Sequence, residues 1–350
     1  MPASEVTARE RTKGRRDEGT EGPALKLETG NSKLETRTAG GANAGRATAG
    51  RATAAPPFPT AGCLLNLGCG ALFHAQWVNL DLRPAASSVV ACDLREGIPL
   101  PVGACAAVYH AHLLEHLPRA AGLELLGECR RVLRPGGVLR VVVPDLEAIA
   151  RLYLAALEGA AGGDPAAARR HEWLVLELYD QCVRERPGGE MAAHLRAAAH
   201  NPDRAAFAVE RLGEEARAII GAARSAAPAA EQHVPARRWG VGAAIAHLRG
   251  RAHAMLDRER RRTMLARRLL GRAGYTAYQL GRFRQSGEVH QWMYDRHSLA
   301  VALEAAGFVR LRRVAADESA IPGWPAYGLD VDAAGNPRKP DSLYMEARRD

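Results

Sequence analysis

Aromatic residues are scarce in this sequence, and long apolar runs are absent. Phe, Trp and Tyr account for 5% of the 350 residues. No run of 18 or more apolar residues occurs, so we expect no membrane-spanning helix. The opening stretch MPASEVTARERTKGRRDEG lacks the apolar core of a secretion signal. The six cysteines form no CxxC pair, which favours free thiols over disulfides or a metal knuckle. These absences predict a cytoplasmic protein.

Positive charge is concentrated in one region of the chain. The net charge is +9, and residues 201–272 contain 15 Arg against 7 Asp and Glu. Such a region could meet phosphate groups, anionic glycolipid or nucleic acid. The other interpretation is a solvated helical face, and we favour it because acidic residues are interspersed and aromatic residues are not.

Composition and periodicity divide the chain into four parts. Residues 1–58 are rich in Gly, Ala, Thr, Arg and Pro without an apolar period, which predicts a disordered tail. Residues 59–158 alternate short apolar runs with turns and predict an α/β core, whereas residues 159–287 show mainly helical periods and predict an α-helical insertion that acts as a lid. Residues 288–350 return to an α/β pattern and would complete the core.

Five strands are predicted before the insertion. They are the apolar runs that begin near Cys63 and at residues 77–82, 88–94, 106–110 and 138–144. A helix between the last two is predicted to stop at Pro135-Gly136-Gly137, and Asp145 is a predicted N-cap. A further helix (295–308) and two strands (309–314 and 342–348) follow the insertion. This order predicts an open α/β sheet with a helical insertion after the fifth strand.

Glycine and polar residues follow four of the predicted strands. Gly68–Gly70, Asp81, Asp93 and the segment His110–His116 each stand at the carboxyl end of a strand. Ligands bind at that edge of open α/β sheets. The four strand ends therefore predict one binding site.

The motifs LNLGCG, LEHL and RVLRPGG occur in the order typical of one family. Over residues 62–158 and 288–349 the chain resembles class I S-adenosylmethionine-dependent methyltransferases, and within them the branch called type 11. The resemblance implies a Rossmann-like seven-stranded methyltransferase sheet, S-adenosyl-L-methionine as cofactor and methyltransferase activity. The pattern GEVHQWMYD…IPGW…KPDSLY also resembles a bacterial subgroup often encoded in cell-surface polysaccharide clusters.

The resemblance implies specific cofactor contacts. Gly68 and Gly70 would let the backbone approach the amino-acid portion of the cofactor. Asp81 would accept hydrogen bonds from the ribose hydroxyls, and Asp93 would bind the adenine amino group beside the backbone of Leu94. The complete predicted set is Asn66, Gly68, Cys69, Gly70, Asp81, Asp93, Leu94 and His110.

Three features depart from the family pattern. Asn66 replaces the usual acidic residue of the first strand, and Ala106 replaces the acidic residue of the fourth. Only nine residues, 68–76, separate the first two strands, which is short for a helical crossover. We therefore expect the first helices of the core to be reduced to about one turn.

The segment HLLEH (112–116) supplies the predicted catalytic residues His112, Glu115 and His116. A zinc protease would need a distant third ligand and a different fold. Within the methyltransferase pattern, these side chains either organise the loop by hydrogen bonds or act as a general base or metal ligands. The second interpretation follows from a resemblance to relatives with Glu-x-x-Glu-His and a bound divalent ion. We assign no metal ligand, and a divalent metal is compatible with the motif.

The segment GEVHQWMYD (287–295) supplies three predicted substrate-binding residues, His290, Trp292 and Tyr294. They would line an acceptor pocket, since aromatic rings stack on sugars or other flat acceptors. The alternative is a packed junction between the insertion and the core.

The leading functional hypothesis is O-methylation of a small acceptor, such as a sugar, a glycan precursor or a specialised metabolite. One alternative is an RNA methyltransferase that docks nucleic acid on the arginine-rich insertion. Another is a non-catalytic protein with a degenerate cofactor fold, which the missing acid at Ala106 and the short crossover would permit.

Overall fold

The computed structural model of the protein describes residues 61–225 and 258–350. The predicted disordered tail, residues 1–58, lies outside these residues, as does the stretch 226–257 of the predicted insertion. Among the helices that are described, none is both long and apolar enough to cross a membrane.

The described residues form one mixed sheet of seven strands. The strands are β1 (Cys63–Leu67), β2 (Val78–Asp81), β3 (Val89–Ala91), β4 (Cys105–Ala111), β5 (Leu133–Pro144), β6 (Phe308–Arg313) and β7 (Ser342–Arg349). Their order across the sheet is β3-β2-β1-β4-β5-β7-β6. The first five strands are parallel, and β7 runs antiparallel to both β5 and β6. The predicted Rossmann-like seven-stranded sheet is confirmed.

Eight α-helices accompany the sheet in the described ranges. They are α1 (Arg119–Val132), α2 (Leu146–Ala161), α3 (Pro165–Val183), α4 (Gly189–Ala198), α5 (Pro202–Leu212), α6 (Glu214–Ser225), α7 (Arg258–Arg284) and α8 (Arg296–Ala305). Asp145 caps α2 as its position predicts, because its side chain accepts a hydrogen bond from the Ala148 N–H at 3.0 Å. Helices α2 to α6 pack around their own apolar cluster, with Trp173 and Leu174 almost fully buried.

Two predicted boundaries were wrong. Helix α1 ends at Val132, before the Pro-Gly-Gly triplet, because Leu133 is already extended and pairs with Cys105 of β4. Strand β3 ends at Ala91, so Asp93 lies beyond the strand and caps a 3₁₀ turn over residues 94–96. At Leu133 strand pairing ends the helix early, whereas at Asp93 a capped 3₁₀ turn replaces the end of the predicted strand.

The first two crossovers contain no helix, which agrees with the short spacing in the sequence. Right-handed crossovers that run outward from β1 would place helices on the face opposite α1. Residues 314–341, between β6 and β7, cover that face instead. Their Trp324 packs edge-on against Trp77 and Tyr109, with ring centroids 6.0 and 5.1 Å away.

Residues 314–341, here called the covering segment, are held to the sheet by Arg140 of β5. The guanidinium is fully buried and donates to Asp330 Oδ2 at 2.7 Å and Glu346 Oε1 at 3.0 Å. It also donates to three backbone carbonyls of the segment, those of Ala315, Ala316 and Glu318. These contacts hold the covering segment against β5 at the level of Arg140.

Candidate active site

The turn after β1 has the backbone that its glycines predict. Gly68 and Gly70 have φ values of +60° and +52°, in the left-handed region that other residues seldom adopt. A Cβ on Gly68 would lie 2.9 Å from the side chain of Leu113, whereas a Cβ on Gly70 would meet nothing within 4 Å. Gly70 therefore borders open space, and a ligand can approach its backbone.

The carboxylate of Asp81 holds this turn from the end of β2. Its two oxygens accept hydrogen bonds from the N–H groups of Gly70 at 2.8 Å and Arg83 at 2.7 Å. Each oxygen keeps a second acceptor position. Asp93 differs, since its oxygens form a bidentate pair with Arg95 at 2.8 and 2.6 Å, and that pair lowers the pKa of the carboxyl group.

A cavity of about 280 Å³ opens beside the β1 turn, and we call it the turn cavity. Asn66, Gly68, Cys69 and Gly70 line one wall, together with His112. The other wall was not predicted from the sequence. It comes from the covering segment and β7 and includes Leu329, Asp330, Arg338, Lys339 and Tyr344. The motif KPDSLY marks part of that wall in the sequence.

Four of the predicted cofactor residues do not line the turn cavity. Asp81 is not a lining residue, although its carboxylate binds the N–H of the lining residue Gly70, and Asp93 and Leu94 lie beyond the end of β3. His110 pairs with Leu67 and Val141 in the middle of the sheet. It is fully buried, and burial lowers its pKa to about 4.

A second, smaller cavity of about 70 Å³ lies between the end of β5 and the helices α3, α4 and α6. We call it the helical cavity. Its polar lining consists of Gln181, Arg184, Glu215, Lys339 and Asp341. His112 and Lys339 line both this cavity and the turn cavity, so they stand where the two meet.

His112 is held rigidly at this junction. Its backbone adopts a left-handed φ of +50°, and its N–H donates to the Val142 carbonyl at 2.9 Å. In the ring, Nε2 lies 2.9 Å from Ser342 Oγ and Nδ1 lies 3.1 Å from Glu115 Oε1. Burial, together with the charge of Lys339, keeps the pKa of His112 well below 6.5. The imidazole is therefore neutral at neutral pH.

Asp341 is a second ionisable group of the helical cavity, and the sequence analysis did not single it out. Its side chain is buried, and burial followed by the charge of Glu177 raises its pKa to about 7. A carboxyl group that titrates near neutrality can accept a proton at the pH of the cell.

The segment HLLEH does not form an α-helix. Residues 114–116 form a single 3₁₀ turn, and His112 precedes it in a left-handed conformation. His112 and His116 therefore do not share a helix face as residues i and i+4 would. The fold instead brings Glu115 and His116 together with His290, with one ligand atom from each within 4.8 Å of the others.

None of the three predicted substrate residues lines the turn cavity or the helical cavity. His290 is buried, with its ring edge-on to His116 at 4.7 Å. Tyr294 is 3% exposed in the core, because its backbone pairs with Asp145 beside the sheet. Trp292 is 41% exposed and lies under the guanidinium of Arg119.

Comparison with known proteins identifies part of the chain. Residues 65–141 match a family model described as a methyltransferase domain. These residues run from β1 into β5 and include the turn and the HLLEH segment. No curated protein sequence matches the chain.

Solved structures with partial similarity include proteins of three organisms. A chain from the complex of the Haloferax volcanii Trm112 methyltransferase activator is 19% identical over 27% of this chain and 50% of its own, with a TM-score of 0.21. A Bordetella parapertussis protein is 13% identical over 83% of this chain and 62% of its own, with a TM-score of 0.29. An S-adenosylmethionine-dependent methyltransferase of Mesorhizobium loti is 13% identical over 83% of this chain and 94% of its own, with a TM-score of 0.28. The chain thus spans 50% and 62% of the first two, and scores this low carry no argument of their own.

The family match and the sheet agree with each other. Residues 65–141 are thus similar to a methyltransferase domain, and they carry strands β1 to β4 and most of β5.

Proposed function

We propose that the protein transfers a methyl group to a hydroxyl oxygen of a small polar acceptor, such as a sugar or a specialised metabolite. The observation that carries the proposal is the position of His112 and Lys339, which line both the turn cavity and the helical cavity. A donor in the first cavity and an acceptor in the second would meet at these two side chains.

The turn cavity suits the cofactor of the family. S-adenosylmethionine supplies a methyl group on a positively charged sulfur atom. Gly70 leaves room for the amino-acid portion, and Asp81, fixed next to Gly70, keeps acceptor positions for ribose hydroxyls. The bidentate contact with Arg95 occupies Asp93, so an adenine contact at Asp93 would have to replace part of that pair.

The helical cavity, at about 70 Å³, admits the hydroxyl-bearing part of an acceptor. Arg184, Glu215 and Lys339 offer donors and acceptors for a polar molecule. Asp341, with a pKa near 7, would take the hydroxyl proton as the oxygen attacks, and His112 would orient that oxygen. Enclosure between helices and sheet would align the reactants and exclude water, which supplies much of the rate in a reaction of this kind.

Calorimetric titration of S-adenosylhomocysteine into the full chain tests the cofactor half of the proposal. Transfer of a labelled methyl group to a panel of sugar nucleotides and phenols tests the acceptor half. We expect His112→Gln to lower methyl transfer by roughly 10²-fold, the scale for loss of an orienting contact, and to change the affinity for S-adenosylhomocysteine less. His297→Gln is the matched control, because His297 is exposed and lines neither cavity. A chain that binds no S-adenosylhomocysteine, or a fully active His112→Gln variant, would contradict the proposal.

Two described arginines of the basic stretch give the RNA alternative no support. Arg204 pairs with Glu172 at 2.9 Å, and Arg211 pairs with buried Glu177 at 2.6 Å, so acidic side chains already compensate these two charges. Residues 226–257 of the basic stretch lie outside the described part of the chain.

A further inference from the structure

We propose that Glu115, His116 and His290 bind one divalent transition-metal ion of the zinc, cobalt or manganese kind. Each side chain contributes one ligand atom, and these atoms lie within 4.8 Å of one another. The site rests on buried residues of the loop after β4 and of the segment that follows α7. It does not depend on the proposed methyl transfer.

The carboxylate of Glu115 lacks a compensating charge. Its side chain is 0% exposed, and neither oxygen accepts a hydrogen bond. Nδ1 of His112 lies 3.1 Å from Oε1 but without hydrogen-bond geometry. Among the described residues no Lys or Arg forms an ion pair with Glu115, and the nearby Arg184 donates to the Glu288 carbonyl instead. A buried carboxylate without a partner is strongly unfavourable, so its surroundings favour the binding of a cation.

The two histidines meet the needs of a metal ligand. Nδ1 of His116 and Nδ1 of His290 are buried without a hydrogen-bond partner. Neither of these nitrogens therefore has a protein partner that would compete with an ion.

The set of ligand atoms selects the kind of ion. Two imidazole nitrogens and one carboxylate suit zinc and its first-row neighbours, whereas magnesium and calcium prefer ligand sets made of oxygen. Three protein ligands leave at least one position for water. For zinc–ligand distances of ~2.1 Å, each ligand atom would have to move inward by at most about 0.7 Å.

Backbone contacts already hold the three residues in place. The N–H groups of Gln291 and Trp292 donate to the Glu115 carbonyl at 2.7 and 3.2 Å, and the His290 N–H donates to the Gln181 carbonyl at 2.9 Å. The His116 N–H donates to the Leu113 carbonyl at 3.2 Å. The ion would clamp residues 289–292 to the end of β4.

The test is metal binding by the full chain after chelation and dialysis. Zinc, manganese and magnesium chlorides are titrated by calorimetry, and bound metal is counted by mass spectrometry. We expect one equivalent of zinc and weaker binding of magnesium. Glu115→Gln and His290→Gln should each lower zinc affinity by at least about tenfold. His194→Gln is the matched control, because His194 is also buried beside a carboxylate, at 3.7 Å from Glu172, but lies outside the cluster.

Folding of the variants is checked by circular dichroism. Metal-free Glu115→Gln should be at least as stable as the metal-free wild type, because the substitution removes a buried unpaired charge. The proposal is overturned if the wild type binds no zinc, or if both variants bind it as tightly as His194→Gln does. A wild-type chain that binds zinc but no S-adenosylhomocysteine would support this site and contradict the proposed function.

Discussion

Replacing Arg140 by Met should destabilise the protein by about 3–5 kcal/mol, the usual cost of removing one partner of a buried ion pair. Arg140 is fully buried between Asp330 and Glu346. Glu346 would keep Arg312 at 3.0 Å and the Ala320 N–H at 2.9 Å. Asp330 would keep only the Tyr109 hydroxyl, at 2.6 Å, as a side-chain partner. Most of the lost stability therefore comes from the unpaired carboxylate of Asp330, and little of it comes from Glu346.

The pH dependence of the loss follows from Asp330. Burial already raises the pKa of Asp330 in the wild type, and loss of the Arg140 charge would raise it further. A carboxyl group whose pKa is higher in the folded state than in the unfolded state contributes less stability as pH rises. The free-energy difference between wild type and Arg140→Met should therefore be larger at pH 8 than at pH 5.

Guanidinium denaturation measures this loss, with tryptophan fluorescence as the signal because Trp324 lies 4.5 Å from the Arg140 guanidinium. Arg151→Met is the control, since Arg151 is 74% exposed in a surface pair with Glu147 and should cost less than about 1 kcal/mol. Adding Asp330→Asn to Arg140→Met should restore about 1–3 kcal/mol by removing the orphaned charge. A loss below 1 kcal/mol in Arg140→Met, or a further loss in the double variant, would refute the reasoning.

Two further predictions concern the cavities. Gly70→Ala and Gly62→Ala should each cost roughly 1–2 kcal/mol of stability, since both glycines have positive φ and open space at Cβ. Only Gly70→Ala should weaken S-adenosylhomocysteine binding in calorimetry, and equal affinities would contradict the placement of the cofactor. Asp341 has a folded-state pKa of about 7 against an ordinary value of 3.8, so it lowers wild-type stability as pH rises from about 4 to about 7. Asp341→Asn should therefore gain about 2–3 kcal/mol relative to wild type between pH 5 and pH 8 in denaturant titrations, and a pH-independent difference would contradict the raised pKa.

The sequence predicts those parts of the fold that depend on local patterns. The β1 turn needs glycine at positions 68 and 70, and both have the expected left-handed backbone. Asp145 predicts the start of α2, because N-capping is a short-range interaction. The length of the first crossover likewise limits what it can contain, and no helix forms there.

The second wall of the turn cavity could not be predicted in the same way. Arg140 and Asp330 are 190 positions apart, and their contact places the covering segment over the sheet. No hydrophobic periodicity near Arg140 or Asp330 predicts that the two residues form an ion pair. The glycine spacing and the family motifs predict the wall of the turn cavity that the β1 turn forms. The other wall depends on where the covering segment and β7 pack against the sheet.

The HLLEH segment shows how a motif can be noticed and its geometry still be missed. Its spacing favours a helix with His112 and His116 on one face, whereas the backbone turns at His112 and then forms a 3₁₀ turn. The turn sends His112 toward the cavities and Glu115 toward His290. Glu115 Oε1 nevertheless stays 3.1 Å from His112 Nδ1, and His112 Nε2 stays 2.9 Å from Ser342 Oγ. The proposed metal site and the proposed acceptor cavity thus share one loop, and a change in the charge at Glu115 would act on His112 directly. For that reason zinc binding and methyl transfer need to be measured on the same Glu115 variant.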